Sequence, residues 1–335
     1  MSKFKLEFSL KQHTPLIHFQ SEQSGAKLRA TELKPKLDRF LLEHVEGIPF
    51  KKNANGHRSL DYKVRVEANG KSERTLPNSF LFFANNVIKE DKDKKYMVKS
   101  TSIKIEFFSF NSKILEAIEQ YFNEFMLISN FGGRSSKGYG SFSNNSNNTE
   151  AILKKYYPIV FKISNPNMRD WEDTVDTLHK KLKAGINFRS YHKSLLFQYM
   201  CTKNLRWEKR KIKEKFPSVA KGKEPIDCHV KKEYRYIRAM LGLAGINEYQ
   251  GKQVVTISHK EKKIERFSSP ITYKIIDQEI YLLCDKSYEK IMNETFEFAL
   301  KGKKFIIKTP SKDEFDIYEF LKFVEKEANL ISEVK

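Results

Sequence analysis

The sequence predicts an α+β protein of two domains, each with helices laid over one face of an antiparallel sheet. Three observations lead there. The chain has 335 residues, beyond the size at which one hydrophobic core usually stops growing. Its hydrophobic fraction of 39%, with 26 Phe and 15 Tyr, supplies enough apolar surface for packed cores. Segments of period 2 and period 3.6 also alternate along the chain, and the Asn- and Ser-rich run at 143–150 divides them into domains 1–150 and 151–335.

The elements follow in order. Residues 3–10 alternate apolar and polar side chains as a half-buried strand, which Pro15 ends because it cannot donate to a ladder. Over 27–44 the spacing changes, and Leu33, Leu37, Phe40 and Leu41 fall on one helical face, with Thr31 as the cap and Pro35 in the first turn. Residues 48–100 form a polar excursion, part of it expected to be mobile, with short strands over 60–68 and 79–84. A strand at 101–110 precedes a helix at 111–128, whose apolar stripe carries Ile114, Leu115, Ile118, Tyr121, Phe122 and Phe125. A glycine-rich loop then leads into another extended segment.

In the second half, a strand is expected over 156–164 and a helix over 169–183. Asp170, Glu172, Asp173 and Asp176 suit the positive end of that helix. A basic, largely helical region runs on to residue 238. A hairpin at 271–284, a helix at 287–300, a strand at 303–309 and a helix at 313–331 complete the chain. The order in each half is the split βαβ pattern of a ferredoxin-like (RRM-like) fold, the second copy degenerate and elaborated with helices.

Charge narrows the function. Lys and Arg number 62 against 42 Asp and Glu, a net +20 that sits on the surface and attracts polyanions. A lysine-rich surface that serves solubility alone is the plainer alternative. No apolar run is long enough to span a membrane, and the charged, alternating start is unlike a secretory signal. Cys201, Cys228 and Cys284 are scattered and odd in number, as in a reducing cytoplasm. There is no CxxC, HxxxH or HExxH spacing, so neither a metal nor another cofactor is expected.

The most distinctive local feature is Gly132, Gly133, Arg134, Ser135, Ser136, Lys137, Gly138, Tyr139 and Gly140. Glycines let the backbone adopt positive φ and approach a ligand closely, and the N–H groups of such a loop can line an anion site. Arg134 and Lys137 add charge, Ser135 and Ser136 add hydroxyls, and Tyr139 offers a stacking face. The spacing fits neither a Walker loop nor a GxGxxG fingerprint. A plain glycine-rich turn is the structural alternative.

FGGRSSKGYGSF resembles the glycine-rich loop of the RAMP superfamily, whose members form the backbone of type III CRISPR effectors. The strand ending at Thr14-Pro15-Leu16 and the basic helix ATELKPKLDRFL are similar to the start of that family's domains. The run from Arg266 through Phe267, Ser268, Ser269 and Pro270 resembles the R-x-S-P segment of Cmr-type (type III-B) subunits, and Met240-Leu241-Gly242-Leu243 suits the same group. Within it, the layout is most like the two-domain first subunit. The resemblance implies crRNA and target RNA as partners, together with other subunits of the effector complex and no membrane. It assigns RNA contact to Lys34, Lys36 and Arg39 of the first helix, to Gly132 through Tyr139 of the loop, and to Arg266.

Residues 201–238 hold 13 Lys or Arg against five Asp or Glu. Trp207, Phe216, Tyr234 and Tyr236 are interleaved, an arrangement that suits stacking beside phosphate contacts. Lys231, Lys232, Arg235 and Arg238 are the candidates here, with an ordinary solvated helix face as the alternative.

Metal-free RNA cleavage needs a general base and a general acid. His13, His18, His44 and His57 are the candidates if the chain is an enzyme, yet none has a Tyr or Lys partner at informative spacing. The expectation is therefore a non-catalytic RNA-binding subunit in the cytoplasm. A RAMP-type endoribonuclease that processes crRNA and a protein-interaction adaptor are its rivals.

Overall fold

A computed structural model describes residues 4–17, 27–75, 96–217, 233–243, 246–249 and 253–335. It is mixed α+β, with several sheets and seven α-helices among these residues. The chain forms two compact units. The first is Met1–Tyr156 together with Tyr273–Tyr281, and the second is Tyr157–Thr272 with Leu282–Lys335.

In the first unit, β1 (Lys5–Gln12), β2 (Leu16–Ile17) and α1 (Ala30–His44) come first. A two-stranded turn follows, β3 (Lys51–Lys52) with β4 (Arg58–Ser59). Then come β5 (Lys63–Thr75), β6 (Tyr96–Phe108), α2 (Ser112–Ile128), β7 (Phe142–Ser143) and α3 (Thr149–Tyr156). The sheet runs β7-β1-β6-β5, with β1 antiparallel to β6 and β7, and β5 antiparallel to β6. The polar excursion thus contributes a long ribbon, and the strand expected at residue 101 already begins at Tyr96. The strand expected over 79–84 lies outside the described residues.

Alternation decides which face is buried. Leu10, Ile103, Ile105, Phe107 and Ala68 turn inward against α1 and α2. α2 buries Ile114, Leu115, Ile118, Phe122 and Phe125, and is capped by Asn111, whose side chain accepts from the Ile114 N–H at 3.4 Å. Full burial of a side chain such as Phe122 contributes roughly 1.5–3 kcal/mol. α1 buries Leu33, Leu37, Phe40 and Leu41. Its cap position is Arg29 rather than Thr31, because the Glu32 and Leu33 N–H groups already reach the Arg29 carbonyl. Pro35 therefore lies inside the helix.

Apart from Phe108, the outward sheet face is polar. Lys5 pairs with Glu7 and Glu106, Lys104 with Glu7, and Arg65 with Glu67. These cross-strand and same-strand pairs, three cations against three carboxylates, cancel in charge.

The second unit opens with β8 (Ile159–Ile163), α4 (Trp171–Lys183), β9 (Ile186–Phe188), β10 (Ser190–His192), α5 (Leu195–Thr202), β11 (Arg206–Trp207) and α6 (Glu208–Lys215). It continues with β12 (Tyr234–Arg235), β13 (Ile246–Tyr249) and β14 (Gln253–His259). After the hairpin strands β15 (Ile271–Ile276) and β16 (Glu279–Cys284), whose residues 273–281 belong to the first unit, come β17 (Thr295–Leu300), β18 (Lys303–Lys308), α7 (Ile317–Ala328) and β19 (Ile331–Glu333). A six-stranded sheet runs β11-β12-β18-β17-β14-β13, while β8 pairs antiparallel with β19.

Two expectations fail here. The helix expected over 287–300 is a short 3-10 turn followed by β17, because Phe296, Phe298 and Leu300 alternate inward with period 2. Lys301 at φ 48° and Gly302 at φ 79° then make the tight turn into β18. The long basic helix is broken into α5, α6 and short strands, with residues 218–232 outside the described set. Among the described residues, no helix is long and apolar enough to cross a membrane.

Candidate nucleic-acid interface

The glycine-rich loop is built by close backbone contact. Gly132 lies at φ +78°, and a Cβ there would meet the Ile17 carbonyl oxygen at 2.4 Å. Gly140 lies at φ +63°, where a Cβ would meet the Phe131 carbonyl oxygen at 1.9 Å. Only glycine meets both demands. Arg134 is itself left-handed at φ 53°, its guanidinium 5.6 Å above the Tyr139 ring.

Most of the loop's amides are spent within the protein. Gly133 N–H donates to the Ile17 carbonyl at 2.7 Å and Gly140 N–H to that of Pro15 at 2.8 Å. Lys137 N–H reaches the Arg134 carbonyl, Gly138 N–H reaches that of Ser135, and Gly132 N–H reaches the Glu32 carboxylate at 2.6 Å. Thr14 donates its hydroxyl to the Gly138 carbonyl at 2.6 Å and accepts from Ser141 N–H at 2.9 Å. An open cradle of N–H groups is therefore not what the loop presents, since its donors close the loop on itself and tie it to α1, Pro15 and Ile17. The N–H and hydroxyl groups of Ser135 and Ser136 make no hydrogen bond among the described residues. Tyr139, expected to offer a stacking face, is 2% exposed. Lys137 holds its ammonium shielded from solvent, 5.7 Å from the Tyr273 ring.

Residues that sequence reasoning missed hold the loop from below. Asn130 donates to the carbonyls of Ser135 at 2.7 Å and Tyr273 at 2.8 Å. Lys274 is fully buried, and its ammonium donates to the carbonyls of Met126, Ser129 and Phe142 at 2.8, 2.7 and 3.0 Å. Burial pushes its pKa well below the usual lysine range. The Met126 carbonyl belongs to the last turn of α2, where intrahelical partners run out and a cation is favoured. No local signal marks this lysine, which follows Tyr273 in an ordinary strand pattern.

The first-helix cations divide. Lys34 donates to the Asp38 carboxylate at 2.9 Å and to the Leu60 carbonyl at 2.9 Å, over the Tyr62 ring at 3.9 Å. Lys36 pairs with Glu32 at 3.1 Å and donates to the Asn130 carbonyl at 2.9 Å, joining α1 to the base of the loop. Arg39, three residues further along α1, is exposed and makes no hydrogen bond or ion pair among the described residues.

In the second unit, the proposed cations turn inward. Arg235 makes a two-pronged pair with Glu314 at 2.8 and 2.9 Å and also meets Glu233 at 2.6 Å. These carboxylates raise its pKa, the Glu314 hydrogen bond foremost. Arg238 pairs with Glu208, a carboxylate with no solvent exposure. Trp207, Phe216 and Tyr236 are buried, and the Tyr234 hydroxyl is held by Glu214. Among the described residues, the arginines and most of the aromatics read from the sequence as a stacking and phosphate track are thus interior packing. Lys231 and Lys232 lie outside the described residues.

Close to Arg238 stand two further lysines. Lys183 donates to the carbonyls of Leu241 and Gly242 at 3.0 and 2.7 Å. Burial first, then the charge of Arg238, brings Lys183 and Lys209 down to about 8. The Gly242 turn at φ +105° also faces Ser269, so the two weakly family-like segments, 240–243 and 266–270, meet here. Arg266 is exposed and without a hydrogen bond or ion pair among the described residues.

The histidines have local roles. His13 is 2% exposed at its side chain; its Nδ1 accepts from Asp277 N–H at 3.0 Å, so its Nε2 donates to the Ser143 hydroxyl at 2.8 Å. Burial, then the Lys274 charge, brings its pKa to about 4, leaving a neutral ring. His44 has its Nδ1 2.8 Å from the Phe40 carbonyl and stacks on the Phe40 ring. His57 is an exposed loop residue whose backbone N–H meets Asn53. His18 lies outside the described residues.

The Cmr1 N-terminal domain family matches residues 3–186 and the Cmr1 C-terminal domain family matches residues 191–334. No curated protein sequence matches. The crystal structure of apo Cmr1 from Pyrococcus furiosus is similar at 12% identity and a TM-score of 0.44, over 98% of each chain. With the two family matches spanning nearly its whole length, the chain belongs to the Cmr1 family and is a subunit of a type III-B CRISPR effector complex.

Proposed function

We propose that the chain is a non-catalytic RNA-binding subunit that holds crRNA, the end of the target RNA, or both, in the cytoplasm. The observation that carries this reading is the surface formed by α1 and the glycine-rich loop. Lys36 and Glu32 tie the helix to the loop. Arg39, three residues along α1 from Lys36, is exposed, and the donors of Ser135 and Ser136 make no hydrogen bond among the described residues. A net charge of +20 supplies the long-range attraction. Such a surface reads phosphates and shape rather than base edges.

The same reading takes both units as ferredoxin-like. In the first, the order β7-β1-β6-β5 with α1 and α2 as crossovers supports it. In the second, β8 pairs antiparallel with β19, with α4 after β8 and α7 before β19. The remaining strands and helices are insertions into that frame.

The test is to incubate the full chain with repeat-bearing crRNA and with target RNA, scoring binding on a native gel and integrity on a denaturing one. Binding of intact RNA is expected. A discrete cleavage product lost in His57→Ala would make the chain an endoribonuclease, and no binding in the chain or its complex would make it an adaptor.

A further inference from the structure

Outside the loop surface, the first unit exposes two aromatic rings, Phe4 and Phe110, beside the half-buried Phe108 at one end of its sheet. Phe110 is 80% exposed and Phe4 is 41% exposed. Phe110 packs edge-on against Phe4 at 5.6 Å and Phe108 at 5.0 Å, so the three rings form one cluster. Exposing apolar rings costs solvation, and a cluster of this kind marks a binding surface.

The register says what surrounds it. Phe108 lies directly opposite Lys5 on β1 and Lys63 on β5, and cross-strand partners share a face. The outward face therefore reads Lys, Phe, Lys across three adjacent strands. Lys113, in the first turn of α2, follows Phe110 by three residues and is exposed. Lys63 and Lys113 make no ion pair among the described residues, whereas Lys5 is held by Glu7 and Glu106.

Two occupants fit exposed aromatics, a partner protein or unpaired bases. Lysine is depleted at the core of protein interfaces, and here it brackets the rings on both sides. Aromatic faces beside cations are what single-stranded nucleic acid requires, since each base stacks and each phosphate needs a counter-charge. We propose that Phe4, Phe108 and Phe110, bracketed by Lys5, Lys63 and Lys113, form a stacking site for unpaired bases of single-stranded RNA. This deepens the RNA-binding reading and rests on it. The site lies at the sheet end, on elements other than α1 and the glycine-rich loop.

The experiment compares the full chain with Phe110→Ala and Phe110→Trp, free and in the reconstituted complex. The probes are an oligouridine carrying one 2-aminopurine and the same backbone made abasic. Phe110 is exposed, so neither substitution opens the core. Stacking predicts quenched 2-aminopurine fluorescence on binding. It also predicts an affinity loss of roughly tenfold in Phe110→Ala for the base-bearing probe only, with retention in Phe110→Trp. If the wild-type chain binds RNA but Phe110→Ala matches it on both probes, the stacking site is overturned and the RNA reading stands. An equal loss on the abasic probe, or lost assembly with RNA binding intact, also overturns it, the latter in favour of a protein partner. Failure of the wild type to bind either probe at low salt, free or assembled, overturns the RNA reading and the site together.

Discussion

The Glu32 carboxylate on α1 accepts the Gly132 amide hydrogen at 2.6 Å across a hundred residues of sequence, and the same oxygen pairs with Lys36 at 3.1 Å. One side chain thus fixes the entry of the glycine-rich loop and orients a lysine that reaches the loop's base. Removing it in Glu32→Ala is expected to lower stability by about 1–3 kcal/mol, with Glu32→Gln milder because an acceptor is retained. Urea unfolding of the three proteins measures this.

The loop's glycines are predicted to differ from glycines elsewhere. At Gly56, φ is +78° and a Cβ meets nothing within 4 Å, so Gly56→Ala costs only the left-handed backbone penalty of about 1 kcal/mol. At Gly140 the same substitution drives a Cβ to 1.9 Å from the Phe131 carbonyl oxygen. Gly140→Ala is expected to cost clearly more, read from the denaturation midpoints of the two variants.

Acid should loosen the first unit through His13. Its folded pKa of about 4 lies below the usual 6.5, so the unfolded chain binds the proton more readily. Stability from the neutral ring is complete above pH 6.5 and is lost as pH falls towards 4, by an amount on the order of 3 kcal/mol. His13→Gln keeps a donor for Ser143 but does not titrate. Its unfolding free energy is expected to fall less steeply over that window, although it starts lower at neutral pH.

The arginines should separate by role. Arg238→Ala strands the buried Glu208 carboxylate, and loss of one partner of such a pair costs about 3–5 kcal/mol. Arg39→Ala and Arg266→Ala remove exposed cations and are expected to leave the melting temperature within a degree or two, since surface changes cost about 0.5 kcal/mol or less. Thermal melts beside RNA titrations distinguish the two classes.

What the sequence disclosed, and what it hid, follows from the range of the interactions. α2 and α1 were legible because Phe122 and Leu37 repeat at helical spacing, and the loop because glycine, cation and hydroxyl cluster locally. β17 was misread as helix because the preceding turn, Ser287–Ile291, begins with helical spacing before Phe296 and Phe298 alternate. The inward turn of Arg235 depends on Glu314, 79 residues away, and that of Lys274 on carbonyls at Met126 and Phe142. No window of sequence contains such pairs. A charge run was therefore legible as charge, but its solvent-facing members emerged only from the fold.

The central claim, that exposed Arg39 of α1 and half-buried Arg134 of the loop hold RNA by its phosphates, is tested most directly by salt dependence. Affinity of the full chain for crRNA is measured against salt concentration, wild type beside Arg39→Ala/Arg134→Ala. The account predicts a linear fall of log affinity with log salt, and a slope shallower by about 0.7 for each phosphate contact removed. Identical affinity and slope in the two proteins would contradict it.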